Sequence, residues 1–243
     1  MTIELATQED LEKTLAWLAA EAASGDQTFH GNRNMIAKGQ EEGELFALRE
    51  AGEIVAFALG KRGEIAIQET RPNQRGRGYG RILAQWGIDR ARSADIVLIE
   101  GECSPSTSLG FWKTMGFREM RPRYGYNPWV YLALPKPLPV PAGEPVEVSI
   151  RVFDQDHLYY SDAPVASEHR PPAARDADGV IHLAERIVIF VPDLPMGHDV
   201  SLEIVVNGER LFFDKAKRSE AAALGVKRDA RNEFYVDRVF PNA

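Results

Sequence analysis

Cysteine is nearly missing from this sequence. Cys103 stands alone among 243 residues, so an internal disulfide and a cysteine-rich zinc site are both excluded. It reads as a small buried apolar side chain, with a reactive thiol as the alternative. No apolar run approaches the ~18 residues that span a bilayer, and the opening MTIELATQED is acidic without an apolar signal core. Positive charge is not in excess either: 29 Lys and Arg stand against 36 Asp and Glu, a net −7. That balance disfavours nucleic-acid backbones and anionic membranes as partners. The expectation is a soluble cytoplasmic protein with no nucleic-acid and no membrane partner. What remains is an ordinary globular composition, long enough for one large domain or two smaller ones.

Proline, by contrast, is concentrated. Pro135, Pro137, Pro139 and Pro141 stand at every second position, followed by Ala142-Gly143-Glu144-Pro145. Such a run lacks backbone donors and fixes φ, which favours an extended, semi-rigid connector. An edge strand and rigid turn within one domain is the alternative. The expected organisation is a first domain over 1–136, a proline-rich linker over 137–145 and a β-rich accessory domain over 146–243.

The first part alternates strands and helices. Residues 3–6 read as a strand, and Thr7 as the cap of a helix that Asp10 supports. Leu11, Leu15, Leu18 and Ala22 then fall on one helical stripe. A second helix is expected over 32–42, hairpin strands over 45–49 and 53–61, and a strand over 64–70. A helix over 79–92, a strand over 95–102, a helix over 106–115 and closing strands over 117–121 and 129–134 complete this part. Beyond the prolines, period-two alternation over 146–153 marks a strand. A polar stretch fills 154–179, and strands are expected over 183–191, 200–206, 209–213 and 233–240. Asn207-Gly208 supplies a hairpin turn, and a short helix is expected over 215–224. The second part is therefore a mostly antiparallel, sandwich-like β unit.

Chemistry concentrates in Arg75-Gly76-Arg77-Gly78-Tyr79-Gly80-Arg81, between a strand and a helix. Three glycines let backbone N–H groups converge without Cβ obstruction, and the helix N-terminus adds its positive dipole end. The result is an anion cradle suited to a diphosphate, reinforced by the three arginines. A Walker loop is excluded, because Arg81-Ile82 stands where Lys-Ser/Thr is required. The preceding hairpin strands argue against a doubly wound dinucleotide fold.

With these residues in place, the segment resembles the acyl-CoA loop of the GNAT family of N-acetyltransferases, whose Gln/Arg-x-x-Gly-x-Gly/Ala pattern is met by Arg75, Gly78 and Gly80. Phe111-Trp112-Lys113-Thr114-Met115-Gly116-Phe117 is similar to the family's Phe-Tyr-x-x-x-Gly-Phe, and Tyr131-Leu132-Ala133-Leu134-Pro135-Lys136 to its closing strand. The resemblance covers about residues 1–136 and implies an α/β (α+β) fold with a mixed, mostly antiparallel, splayed sheet. It implies acetyl-CoA as co-substrate, with the backbone of Gln68, Glu69 and Thr70 holding the pantetheine arm. Arg75, Gly76, Arg77, Gly78, Tyr79, Gly80 and Arg81 would hold the diphosphate. The reaction implied is transfer of an acetyl group to a primary amine of a small molecule or protein, by direct attack on the thioester.

The same resemblance places Glu100 and Glu64 at positions where different family members carry a catalytic glutamate; Glu69 and Glu102 are nearby alternatives. Where many members have a thiolate-protonating tyrosine this chain has Trp112, too weak an acid for the task. Tyr124 is then the first substitute, with Tyr126, water or Cys103 behind it. Asp26, Phe29, His30 and Tyr126 lie in the two segments, 24–30 and 121–127, that shape acceptor specificity in the family, and Asp26 and Glu102 are expected to attract a cationic amine. In the second part Asp154, Asp156, His157, Asp162 and His169 offer ligand atoms, but their spacing fits no calcium loop and no metal is expected. That part reads as a recognition or self-association module, with a homodimer possible through it. A non-catalytic CoA-binding protein whose β domain docks a partner is the alternative.

Overall fold

The computed structural model describes residues 1–160, 162 and 164–241. Its contacts divide the chain into two compact units. One holds Met1–Ala94 and Ile99–Leu132; the other holds Asp95–Leu98 and everything from Ala133 onward. Up to the proline run the elements are β1 (Thr2–Leu5), α1 (Gln8–Ala23), α2 (Arg33–Glu41), β2 (Leu45–Glu50), β3 (Glu53–Leu59), β4 (Glu64–Ile65), β5 (Ile67–Thr70), α3 (Tyr79–Ser93), β6 (Leu98–Glu102), α4 (Leu109–Thr114), β7 (Arg118–Met120) and β8 (Trp129–Ala133). Among the described residues no helix is long and apolar enough to cross a membrane.

In the first unit α1 starts at a closed capping box. Thr7 Oγ1 accepts the Asp10 N–H at 3.2 Å, and Asp10 Oδ2 accepts the Thr7 N–H at 2.8 Å. Leu11, Trp17 and Leu18 of α1, with Ile36 of α2, cover one face of the sheet ordered β1-β2-β3-β5. Tyr79 and Leu83 of α3 cover the other, over Leu48, Val55 and Ala56. With both faces covered, β3 needs no polar alternation, and Ile54, Val55, Ala56 and Phe57 are all buried.

The strand expected over 64–70 is split at Ala66. β4 pairs in parallel with β6, Glu64 opposite Glu100 and Ile65 opposite Gly101. β5 pairs antiparallel with β3, Glu69 opposite Phe57. β4 begins a second sheet, ordered β4-β6-β8-β7, while β5 ends the first. The chain thus changes sheets in the middle of one apparent strand, and among the described residues the outer edge of β5 has no partner strand.

The second unit continues with β9 (Glu144–Pro145), β10 (Val148–Asp154), β11 (Val165–His169), β12 (Ala173–Arg175), β13 (Ile181–Ile189), β14 (Val200–Val206), β15 (Glu209–Lys215), α5 (Ser219–Ala223), β16 (Val226–Arg228) and β17 (Phe234–Val239). Two antiparallel sheets, β11-β10-β14-β15 and β16-β17-β13-β12-β9, enclose one core. Val148, Ile150, Val152, Leu202 and Ile204 meet Ile181, Leu183, Ile189 and Val236 there, the inward alternate residues of a sandwich. β11 and β12 lie inside the polar stretch over 154–179. Most of their residues are exposed or half-buried, so they carry no apolar alternation to read.

The proline-rich segment takes part in this unit rather than spacing it. Lys136 O accepts the Arg186 N–H and Leu138 N–H donates to Ala184 O, both at 2.8 Å, beside β13, and β9 pairs with β12. Prolines at alternate positions leave the intervening residues free to donate along one edge. Asp95–Leu98 belongs here through polar contacts. Asp95 takes two hydrogen bonds from the buried Arg186, at 2.9 and 3.2 Å, and Val97 N–H donates to Asp229 Oδ2 at 2.9 Å.

Candidate active site

The glycine segment forms a turn that opens α3. Gly76 and Gly78 have φ of +80° and +88°, a left-handed conformation that a β-carbon disfavours. A Cβ on either would project into open space, so the ground in front of the turn is clear. The first intrahelical bond of α3 runs from Ile82 N–H to Gly78 O, so the N–H groups of Tyr79, Gly80 and Arg81 have no acceptor within the helix. Gln68 Nε2 donates to Gly80 O at 2.9 Å and fixes these donors beside β5. Arg75 folds back, its Nε donating to Thr70 O at 3.2 Å. Arg81 reaches Thr114 Oγ1 of α4 at 3.2 Å, and the Tyr79 hydroxyl is committed to Glu50. Tyr79 thus contributes its backbone here, not its ring.

The free edge of β5 lies next to this turn. Arg71 N–H donates to Val55 O at 3.0 Å, so Arg71 and Glu69 are the residues whose backbone groups face β3. Gln68 and Thr70 therefore turn theirs to the open edge. The donors at the head of α3 thus stand beside a strand edge that presents backbone N–H and C=O groups.

The opposite face carries carboxylates. Register puts Glu64 beside Glu100, and alternation puts Glu102 on the same face. Arg123 Nη2 donates to Glu100 Oε1, and Asn127 Nδ2 to Glu102 Oε1, each at 2.6 Å. The segment before β8 is thereby folded back over β6. Tyr124 stands on the edge of Trp129, and burial with the nearby charges of Glu102 and Glu64 raises its hydroxyl above the ordinary tyrosine range. It holds its proton more tightly than a free tyrosine. Tyr126 is fully exposed.

Glu69 is the residue whose environment the sequence reading underrated. Its side chain is only 6% exposed. It accepts the Phe29 N–H at 3.2 Å and lies 3.6 Å from Arg75. Burial, reinforced by the charge of Glu21, outweighs both and raises its carboxyl to about 7. Burial also pushes Glu21 up, and its Oε2 is buried with no hydrogen-bond partner among the described residues. The signal was present: Ile67 is a core residue, so Glu69, two positions on, had to face inward. Glu21 likewise continues the stripe through Leu11, Thr14 and Leu18.

Other candidates are more ordinary. Phe29 is half-buried against the core of α1 and α2, the His30 N–H donates to Thr28 Oγ1, and Asp26 is exposed. Trp112 is buried between Phe111 and Phe117 at centroid distances of 4.9 and 5.1 Å, so an aromatic core requirement accounts for it. Cys103 is fully buried and its thiol pKa is raised by that burial. In the second unit the His157 ring stacks on Phe153 and His169 contacts Ser167 Oγ. Asp154 and Asp156 gather instead with the distant His198, whose Nδ1 is 2.8 Å from Asp154 Oδ1.

Among curated proteins none matches the sequence. Solved structures with a similar region include a ribosomal-protein-alanine N-acetyltransferase from Brucella melitensis, at 18% identity over 55% of this chain and 100% of that one, TM-score 0.42. N-acetylglutamate synthase from Neisseria gonorrhoeae, complexed with coenzyme A and N-acetyl-glutamate, is 17% identical over 55% of this chain and 35% of that one, TM-score 0.44. Polyamine N acetyltransferase from Drosophila melanogaster is 13% identical over 55% of this chain and 99% of that one, TM-score 0.44. Residues 8–117 match the model of the acetyltransferase (GNAT) family.

Proposed function

We propose that the first unit is an N-acetyltransferase that moves the acetyl group of acetyl-CoA to a primary amine. One observation carries the reading: N–H groups without a helical acceptor at the head of α3 are fixed beside a β5 edge that, among the described residues, lacks a partner strand. The amides from Arg75 to Arg81 receive the diphosphate, and the backbone of Gln68 and Thr70 receives the pantetheine amides. Glu64, Glu100 and Glu102 make the far face acidic and draw in a cationic amine. Asp26, Phe29, His30 and Tyr126 border its approach. Glu100 and Glu64 are the proton acceptors suggested by family position, and Tyr124 the donor to sulfur. The sandwich serves recognition or self-association, including a homodimer, in the cytoplasm.

Calorimetric titration with CoA, followed by a CoA-release assay over a panel of small amines and peptides, tests this reading. Tight uptake with turnover of at least one amine is the expected result; no uptake refutes it. The buried, hydroxyl-free Trp112 favours a second reading, a CoA-binding protein without turnover whose sandwich docks a partner. Uptake with no turnover across the panel would select it.

A further inference from the structure

We infer that Glu69 takes the proton from the acceptor amine, an inference that rests on the acetyl-transfer reading above. Its position is the argument. Oε2 accepts the Phe29 N–H from the connection between α1 and α2, while Oε1 faces Arg75 of the glycine turn at 3.6 Å. This one side chain therefore joins the segment bordering the acceptor to the segment built for the coenzyme. It projects from β5, the strand whose outer edge is open, on the face opposite the Gln68 contact with α3. Glu100 and Glu102, on the neighbouring strand, are held at 2.6 Å by Arg123 and Asn127. Arg75 stands farther from Glu69 and is half exposed.

The charged groups around Glu69 are Glu21 from α1 and Arg75 from the turn; Asp26 and Arg71 act on Glu21 in turn. Burial and Glu21 favour the protonated form, while the Phe29 N–H and Arg75 oppose it. A carboxyl poised at about 7 is ionised often enough near neutrality to accept a proton and basic enough to keep it. Glu69 removes one proton from the ammonium of the acceptor. The freed nitrogen lone pair forms the C–N bond as the thioester C–S bond breaks, and the electron pair of that bond stays on sulfur. A second proton leaves nitrogen and ends on sulfur, so the products are an amide and a free thiol.

The test uses the full chain with acetyl-CoA and an amine identified in the release panel. Wild-type kcat/KM should rise with pH through an inflection near 7. Glu69→Gln should lower kcat by roughly 10²–10⁴-fold and remove the inflection while CoA affinity holds. Glu21→Gln should keep activity and move the inflection to lower pH. Carbon-13 NMR of glutamate-labelled protein, with Glu69→Gln used for assignment, should show this carboxyl titrating far above an ordinary one. A Glu69→Gln enzyme at full rate with its inflection intact, or a Glu69 signal in the usual carboxylate range, overturns the inference alone. Failure of the wild type to take up CoA instead defeats the transfer reading and the inference with it.

Discussion

Glu69 Oε2 accepts the backbone N–H of Phe29 at 3.2 Å across 40 residues of chain. A carboxylate placed this way pins the turn after α1 to the strand at the sheet opening, and its burial has a measurable cost. The folded protein holds the Glu69 proton up to about 7, against 4.5 for the free group. Its stabilising contribution is complete below the unfolded value and is lost as pH rises through 7. Glu69→Gln should therefore gain stability over the parent at about pH 9, on the order of 3 kcal/mol at most, and much less at about pH 5. Denaturant midpoints at the two pH values check this; an equal difference at both would contradict it.

At Gly78 the backbone and the ligand make separate demands. Its φ of +88° makes Gly78→Ala cost about 1–2 kcal/mol of stability. Gly78→Glu adds a carboxylate where the free N–H groups converge and should abolish CoA uptake. Isothermal titration of the two variants separates the effects, because the alanine protein should still bind.

Arg123 and Glu100 form an ion pair at 2.6 Å. If Glu100 acts mainly by attracting the ammonium, Glu100→Gln should raise KM for the amine about tenfold, or ~1.4 kcal/mol, with little change in kcat. A large fall in kcat instead would assign proton removal to Glu100. Steady-state kinetics beside Glu69→Gln gives the comparison.

Arg186 is the polar centre of the second unit. It is 4% exposed, makes two hydrogen bonds at 2.8 Å to Asp237, and lies 4.1 Å from the Tyr235 ring centroid. Arg186→Met leaves Asp237 without its cation and should cost about 3–5 kcal/mol. Lysine at this position should fail to rescue, since an ammonium cannot reproduce the forked geometry. Thermal and chemical unfolding of the two variants provide the measurement.

Much of this molecule could be read along the chain. The Thr7–Asp10 box, the glycine turn, the Asn207-Gly208 hairpin and the alternation of β10 are local devices, each decided by residues a few positions apart. The splitting of residues 64–70 was not legible, because period-two alternation has the same appearance whether a strand keeps one neighbour or exchanges it for another. β11 and β12 escaped because short strands whose residues are mostly exposed or half-buried carry no apolar signature.

Residues a few positions apart dictate the local elements and the glycine turn, since caps, left-handed glycines and helix ends depend on adjacent backbone. The environment of the carboxylates arises from long-range contacts. Phe29 and Glu21 reach Glu69, Arg123 reaches Glu100, and Asp95 reaches Arg186 over 91 residues. Burial and neighbouring charge set the proton affinity of such groups, and both come from parts of the chain that meet only on folding.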